Sequence, residues 1–210
     1  MEYLIFAAIL IGSYLLGSIN LAQYLARHRA GVDLREVGSG NVGTGNLFRE
    51  VGKGIGTANF FFDCAKEAAV ILALRAGGFS LWAQAAAGLA VVVGHNWPVF
   101  FGFQGGRGMA MTLVGTLIML PREGIVMVGL LAIGGHTRHT PEMNLLAVAL
   151  TPILAWRLGR SSALIFYAVG LLVLCVIRRL QGSPGVGEKS LREGGWEVFW
   201  SRLIYDREPA

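Results

Sequence analysis

Residues 3–26 run for 24 positions without a charged side chain. A helix needs about 20 apolar residues to cross the hydrocarbon core of a bilayer, so this run can form a membrane span. No basic leader and no small-residue cleavage site accompany it, so it reads as a retained span rather than a cleaved signal. Six further apolar runs follow, at 57–74, 79–93, 109–120, 124–135, 145–156 and 162–177. The expected fold class is therefore all-α, a polytopic membrane helix bundle of about seven transmembrane helices with glycine-rich cytoplasmic loops. Composition agrees, since only 15% of residues are charged against roughly 25% in soluble domains. The runs at 109–120 and 124–135 are short and only Pro121, Arg122 and Glu123 part them. Two short spans and one bent hairpin both fit.

Lys and Arg set the expected orientation. With seven crossings and the amino terminus outside, segments 27–56, 95–108, 136–144 and 178–210 face inward and hold 13 of the 18 basic residues. The outward segments hold 4, and Lys66 lies within a span. The amino terminus is expected outside and the carboxyl terminus in the cytoplasm. The net charge of +5 then describes a cytoplasmic face resting on anionic membrane lipid, and no nucleic-acid partner is needed.

Glycine gathers in two of the inward segments, 31–49 and 94–108. Glycine lets successive backbone N–H groups converge into an anion nest, and neighbouring arginines add charge-assisted bonds. Two such loops on one face suggest a phosphate site at the membrane surface; tight connections between spans are the plainer reading. The G-x-G-x-x-G of Gly38, Gly40 and Gly43 lacks the strand that a dinucleotide-binding turn requires. No cofactor and no metal are expected. Cys64 and Cys175 fall in apolar runs, with no CxxC and no histidine at ligand spacing. Asp63 and Lys66 lie one helical turn apart within a span, with Glu67 beside them. They fit either a structural ion pair or a wall of an active cavity.

Gly17-Ser18-Ile19, Val32-Asp33-Leu34-Arg35, Gly38-Ser39-Gly40-Asn41-Val42-Gly43, Asn46 and Arg49 come first in a motif series. Asp63-x-x-Lys66, Gly94-His95-x-Trp97-Pro98-Val99-Phe100 and Gly105-Gly106-Arg107-Gly108 complete it. In order and spacing this series resembles the bacterial acyl-phosphate–glycerol-3-phosphate acyltransferase family of the inner membrane. The resemblance implies a multi-pass enzyme moving a fatty acyl group from acyl phosphate to glycerol 3-phosphate. The products would be lysophosphatidic acid and phosphate, in phospholipid synthesis. It implies Ser39, Asn41 and His95 as catalytic residues. Substrate phosphate would be held by Gly38, Gly40, Gly43, Asn46, Arg49, Gly105, Gly106, Arg107 and Gly108. Asp63 and Lys66 form the intramembrane polar pair. His95 fits a general base or a structural residue beside Pro98.

The chain departs from the family pattern in places. Thr44 and Gly45 replace the usual Ala-Thr, Glu67 replaces a glycine, and Arg107 replaces a lysine. A late His-Arg-x-Asn-Ile segment is absent, its place taken by Val173-Leu174-Cys175-Val176-Ile177. His136, His139 and Asn144 are polar residues of another loop available in its stead. These departures leave open a diverged non-catalytic phosphate- or lipid-binding homologue, and the intramembrane charges leave open a small transporter. The oligomeric state is undetermined. Residues 1–182 are expected to form the transmembrane domain and 183–210 a cytoplasmic tail. In that tail Trp196, Phe199, Trp200, Leu203 and Ile204 share one face of an amphipathic helix, while Glu197, Arg202 and Asp206 fall off it. Such a helix suits the membrane interface or the cytoplasmic ends of the bundle.

Overall fold

The computed structural model describes residues 1–182 and 191–206, and every apolar run becomes a helix within it. The helices are α1 Glu2–Gly17, α2 Leu21–Ala30, α3 Thr44–Glu50, α4 Lys53–Ala76 and α5 Leu81–Asn96. They continue as α6 Met109–Met119, α7 Pro121–Thr137, α8 Thr140–Arg157, α9 Ser162–Leu180 and α10 Leu191–Trp200. No strand occurs among the described residues.

The first uncharged run is not a single helix, which corrects the expectation from hydropathy. It breaks after Gly17, where the Asn20 side chain accepts from the Gln23 N–H at 3.1 Å and starts α2 as an N-cap. An N-cap must have non-helical backbone, so Asn20 ends one helix by beginning another. The stretch Glu2–Ala30 and the helix Ser162–Leu180 are each long and apolar enough to cross a membrane. Helix α6 has 11 residues, about 16 Å at the helical rise. Helices α6 and α7 form a hairpin that reverses at Leu120 and Pro121. Gly124 admits the Leu117 backbone so closely that a Cβ there would collide with it.

Helices α4, α6, α7, α8, α9 and α5 pack in that order into a closed ring, and α1 leans on α5. The α1–α5 crossing depends on glycine. A Cβ on Gly17 would strike the Val91 carbonyl, and one on Gly94 would strike the Tyr14 carbonyl. Small residues let helices approach this closely where lipid supplies no hydrophobic drive for association.

The bundle is apolar outside and polar within. Tyr3, Leu4, Ile11, Phe61, Ile125, Ile153 and Val173 are exposed, whereas Asp63, Lys66, Glu67, Glu123, Arg178 and Arg179 are buried. Charged side chains in a membrane bundle face the interior and are partnered there, because an unpaired charge in hydrocarbon is costly. Lys66 meets Asp63 at 2.9 Å and also donates to the carbonyls of Gly17 at 3.3 Å and Ile19 at 2.8 Å. It therefore satisfies the carbonyls freed where α1 breaks. Glu67 accepts from the Tyr167 hydroxyl at 2.9 Å. It lies against Gly88 and Gly115, whose missing side chains make room for a carboxylate in place of the family's glycine.

The connections sort to two ends. At one end Arg160 grips Glu123 at 2.8 and 3.0 Å, and Arg75 donates to the Ile118 carbonyl. At the other end lie the described residues of the four segments that the charge count grouped together. The described tail docks there. Arg179 donates to the carbonyls of Leu203 and Ile204, and Arg202 donates to that of Leu180. The expected helical stretch over 196–204 forms, first as α-helix and then as π-helix. Gly195 breaks α10 with φ 54°, and Ser201–Tyr205 forms a π-helical turn. Val198 and Arg202 are buried, whereas Trp196 and Trp200 stay exposed, with Phe199 edge-on to both. Residues 183–190 of the expected tail lie outside the described residues.

Candidate active site

Helix α2 ends with Gly31 in a left-handed cap, and the first glycine-rich loop follows. Asp33 anchors it, meeting Arg27 at 2.8 Å and Arg35 at 2.6 Å. The Arg35 guanidinium, helped by Arg27, holds the Asp33 carboxyl well below the usual carboxylate range, because both cations favour its charged form. Arg35 also reaches the Gln104 side chain at 3.3 Å, tying the first loop to the second. Gly38 and Gly40 have φ of 57° and 66°, a region where glycine has no Cβ to clash. Buried Asn46 holds the turn together. Its amide donates to the carbonyls of Leu34 and Val37, and its oxygen accepts from the Ser39 N–H.

The second loop hangs on α5 and α9. The N–H groups of Gly105 and Gly106 donate to the carbonyls of Asn96 and His95. Their own carbonyls accept from buried Arg178 at 2.8 and 3.0 Å. A Cβ on Gly105 would collide with the His95 carbonyl, and one on Gly106 with His95 Nε2. Glycine is needed here because loop and helix end are in contact.

Several N–H groups of the expected backbone nest turn inward. The N–H groups of Ser39, Gly40, Gly43, Gly105 and Gly106 all have partners inside the protein. With these five taken, it is the arginine side chains that carry positive charge at the loops. The glycines allow the two loops to close on each other.

Between the loops and the helices opens a cavity of about 710 Å³. Eight of the expected residues line it: Ser39, Asn41, Asn46, Arg49, Asp63, His95, Arg107 and Gly108. Gly38, Gly40, Gly43, Gly105 and Gly106 lie behind this wall, as does Lys66. Arg49 comes within 3.5 Å of the Ser39 hydroxyl. His95 directs Nδ1 toward Asp63 Oδ1 at 3.6 Å, while Asn59 donates to the other Asp63 oxygen at 3.0 Å. Asp63 is thus both cavity wall and lock, and Lys66 is lock alone.

Other residues of the cavity belong to none of the motifs in the sequence. Phe60, Met109, Met111, Leu113 and Leu131 make one side apolar, and Arg138, Thr140, Asn144 and Asp206 add polar groups to the rim. Of the three residues available to replace the missing late histidine and asparagine, only Asn144 lines the cavity. His136 and His139 are exposed outside it. The beginning of α6 and the end of α7 border the same space, so the chain leaves the cavity end along α6 and returns to it along α7.

Arg107 meets Asp206 of the tail at 2.8 Å through Nε. Burial pulls the Arg107 guanidinium below its ordinary value and pushes the Asp206 carboxyl above its own, since both lose hydration of the charged form. Among the described residues, no group of three or more His, Cys, Asp or Glu is placed to hold a metal. An apolar side beside a rim of arginines and small polar groups suits a ligand with a phosphate head and a hydrocarbon part.

A family model described as glycerol-3-phosphate acyltransferase matches residues 7–182. Glycerol-3-phosphate acyltransferase 5 of Dehalococcoides mccartyi is 34% identical, over 98% of this chain and 90% of that protein. The glycerol-3-phosphate acyltransferase of Halalkalibacterium halodurans is 38% identical, over 80% of this chain and 82% of its own length. Among solved structures, the glycerol 3-phosphate form of PlsY, an integral membrane glycerol 3-phosphate acyltransferase, superposes with a TM-score of 0.78. It is 31% identical, with 97% of this chain and 94% of that one covered. The lysophosphatidic acid form of the same enzyme gives 0.75 at 28% identity.

Proposed function

The chain belongs to the glycerol-3-phosphate acyltransferase family, and from that premise we propose that it transfers a fatty acyl group from acyl phosphate to glycerol 3-phosphate. The observation that carries the reading is the cavity itself. It sets Arg49 and Arg107 at a polar rim that continues into a wall of Phe60, Met109, Met111 and Leu131. A phosphate and an acyl chain have a place in the same space.

An acyl phosphate is a mixed anhydride with a good leaving group. Holding the two substrates in line and countering phosphate charge then supplies much of the acceleration. A glycerol 3-phosphate hydroxyl oxygen attacks the acyl carbonyl carbon, and the bond from that carbon to the phosphate oxygen breaks. The hydroxyl proton passes to the departing phosphate. Arg49 and Arg107 hold phosphate, and Ser39 and Asn41 orient the reacting groups. His95 has Nδ1 toward Asp63 and Nε2 against Gly106. In this reading it positions the second loop rather than acting as general base.

The test is transfer of labelled acyl from acyl phosphate to glycerol 3-phosphate by purified protein. Wild-type protein should form labelled lysophosphatidic acid. His95→Asn should lower kcat yet keep the pH–rate profile, whereas loss of one pH limb would make the imidazole the base. Binding of glycerol 3-phosphate with no transfer at any chain length would support the non-catalytic reading.

The enzyme resides in the bacterial inner membrane with the cavity end in the cytoplasm and the amino terminus outside. The excess of basic residues at the cavity end supports this. In a background lacking Cys64 and Cys175, a cysteine at position 78 should be labelled from outside. One at position 28, on exposed α2, should be labelled only from inside. Labelling of both from one side would overturn the orientation.

A further inference from the structure

Among the described residues, Asp206 is the carboxylate of the tail that reaches the cavity, and it does so beside the arginine assigned to substrate phosphate. Its Oδ1 lies 2.8 Å from Arg107 Nε, and its backbone carbonyl accepts from Arg107 Nη2 at 3.3 Å. The two side chains are only 16% and 14% exposed. The tail holds Asp206 there firmly, because Arg179 is bonded to the carbonyls of Leu203 and Ile204 just before it.

Three features make this contact a poor resting place for a carboxylate. The Arg107 Nε–H does not aim at Oδ1, which is buried without a hydrogen bond among the described residues. A buried acceptor left unsatisfied destabilises the contact. Asp206 also adopts φ 56°, a left-handed conformation that a minority of residues with side chains show, Asp more readily than most. Finally, Arg107, Arg178 and Arg179 all act electrostatically on this single carboxylate. Such a cluster of cations also suits a phosphate, which carries up to two charges and three acceptor oxygens.

We propose that Asp206 is an internal competitor for the phosphate seat of Arg107, displaced when glycerol 3-phosphate or inorganic phosphate binds. It rests on the reading of Arg107 as a phosphate-binding residue. The carboxylate keeps the arginine paired in the empty cavity and raises the threshold for occupation. A weakly charged ligand does not repay its displacement, and a phosphate does. The latch therefore sharpens selection for phosphate at the expense of affinity. The family model's match ends at residue 182, so Asp206 lies in a part of the chain the family model does not span.

Calorimetric titration of inorganic phosphate and of glycerol 3-phosphate into the full chain in detergent tests the proposal. The set is wild type, Asp206→Asn, Arg107→Ala and the double variant. Asp206→Asn should tighten both ligands by about tenfold, the change expected if the seat is blocked about nine-tenths of the time. In the Arg107→Ala background the same substitution should change affinity by less than about twofold, since coupled residues lose their mutual effect once one is removed. Unchanged or weakened binding in Asp206→Asn overturns the latch while leaving Arg107 as a phosphate ligand, as does equal tightening in both backgrounds. Unchanged binding in Arg107→Ala overturns the latch and the phosphate seat together. Hydrogen exchange on wild-type protein reads the same event without a substitution. Saturating glycerol 3-phosphate should speed exchange across 201–206, and slower or unchanged exchange would count against displacement.

Discussion

Arg107→Ala should weaken glycerol 3-phosphate binding by about 100-fold, as read by calorimetry on detergent-solubilised protein. A hydrogen bond to a charged group contributes roughly 1.5–3 kcal/mol, which is about 10- to 150-fold in Kd. Burial decides where in that range each arginine falls. Arg107 is 16% exposed at its side chain, so its charge is little screened and belongs near the top. Arg49 is exposed on α3, and Arg49→Ala should cost closer to tenfold. An equal loss from both would mean that the solvent-facing arginine reaches deeper into the site than its exposure implies. No loss from either would remove the phosphate site from this cavity.

Lys66→Met should lower stability by about 3–5 kcal/mol, the penalty for leaving a buried charge without its partner. Lys66 and Asp63 are 3% and 4% exposed at their side chains. The substitution would strand Asp63 and leave the carbonyls of Gly17 and Ile19 without their donor. In a thermal melt the fall in Tm should be about 10 °C. Transfer activity should fall with it, because Asp63 is also the group facing His95. The double variant Asp63→Asn, Lys66→Met should recover a large part of the lost stability, since no unpaired charge remains. A single variant that melts with the wild type would show that the pair does not hold α1 against α4.

The two residues illustrate different kinds of legibility. Asp63 and Lys66 are three positions apart within an apolar run, and helical periodicity alone places them on one face. What Lys66 does beyond Asp63 depends on where α1 breaks, and hydropathy cannot see that break. It follows from the Asn20 cap, a local hydrogen bond inside a run that is uniformly uncharged. The hairpin at α6 and α7 was one of two readings that the short runs allowed. The packing of Gly124 against Leu117 shows that the two helices lie side by side, with their turn at the end of the bundle opposite the cavity.

The glycine loops were legible as a place where the chain closes on a cavity, and not in the direction of each backbone group. Their composition marks a place where the chain turns closely and where arginines gather. Composition does not say where each N–H points. In the fold those of Gly105 and Gly106 turn to the end of α5, and Arg178 from a helix more than 70 residues away takes their carbonyls. The late departures from the family pattern are partly answered in the same manner. Asn144 comes to the cavity from α8, and Glu67 finds Tyr167 and the gap left by Gly115.

The sequence by itself determined the number and type of the apolar segments, their grouping by charge and the residues that head toward one end of the bundle. These depend on runs, periods and local motifs, which are properties of neighbouring residues. Only the tertiary structure decided which side chains reach the cavity and which are held behind it. Asp206 shows this most clearly. It falls off the apolar stripe and belongs to no motif, and 99 residues of chain separate it from Arg107. Their contact exists because Arg179 and Arg202 dock the tail on the bundle, and a pairing made by packing over that distance leaves no local pattern to read.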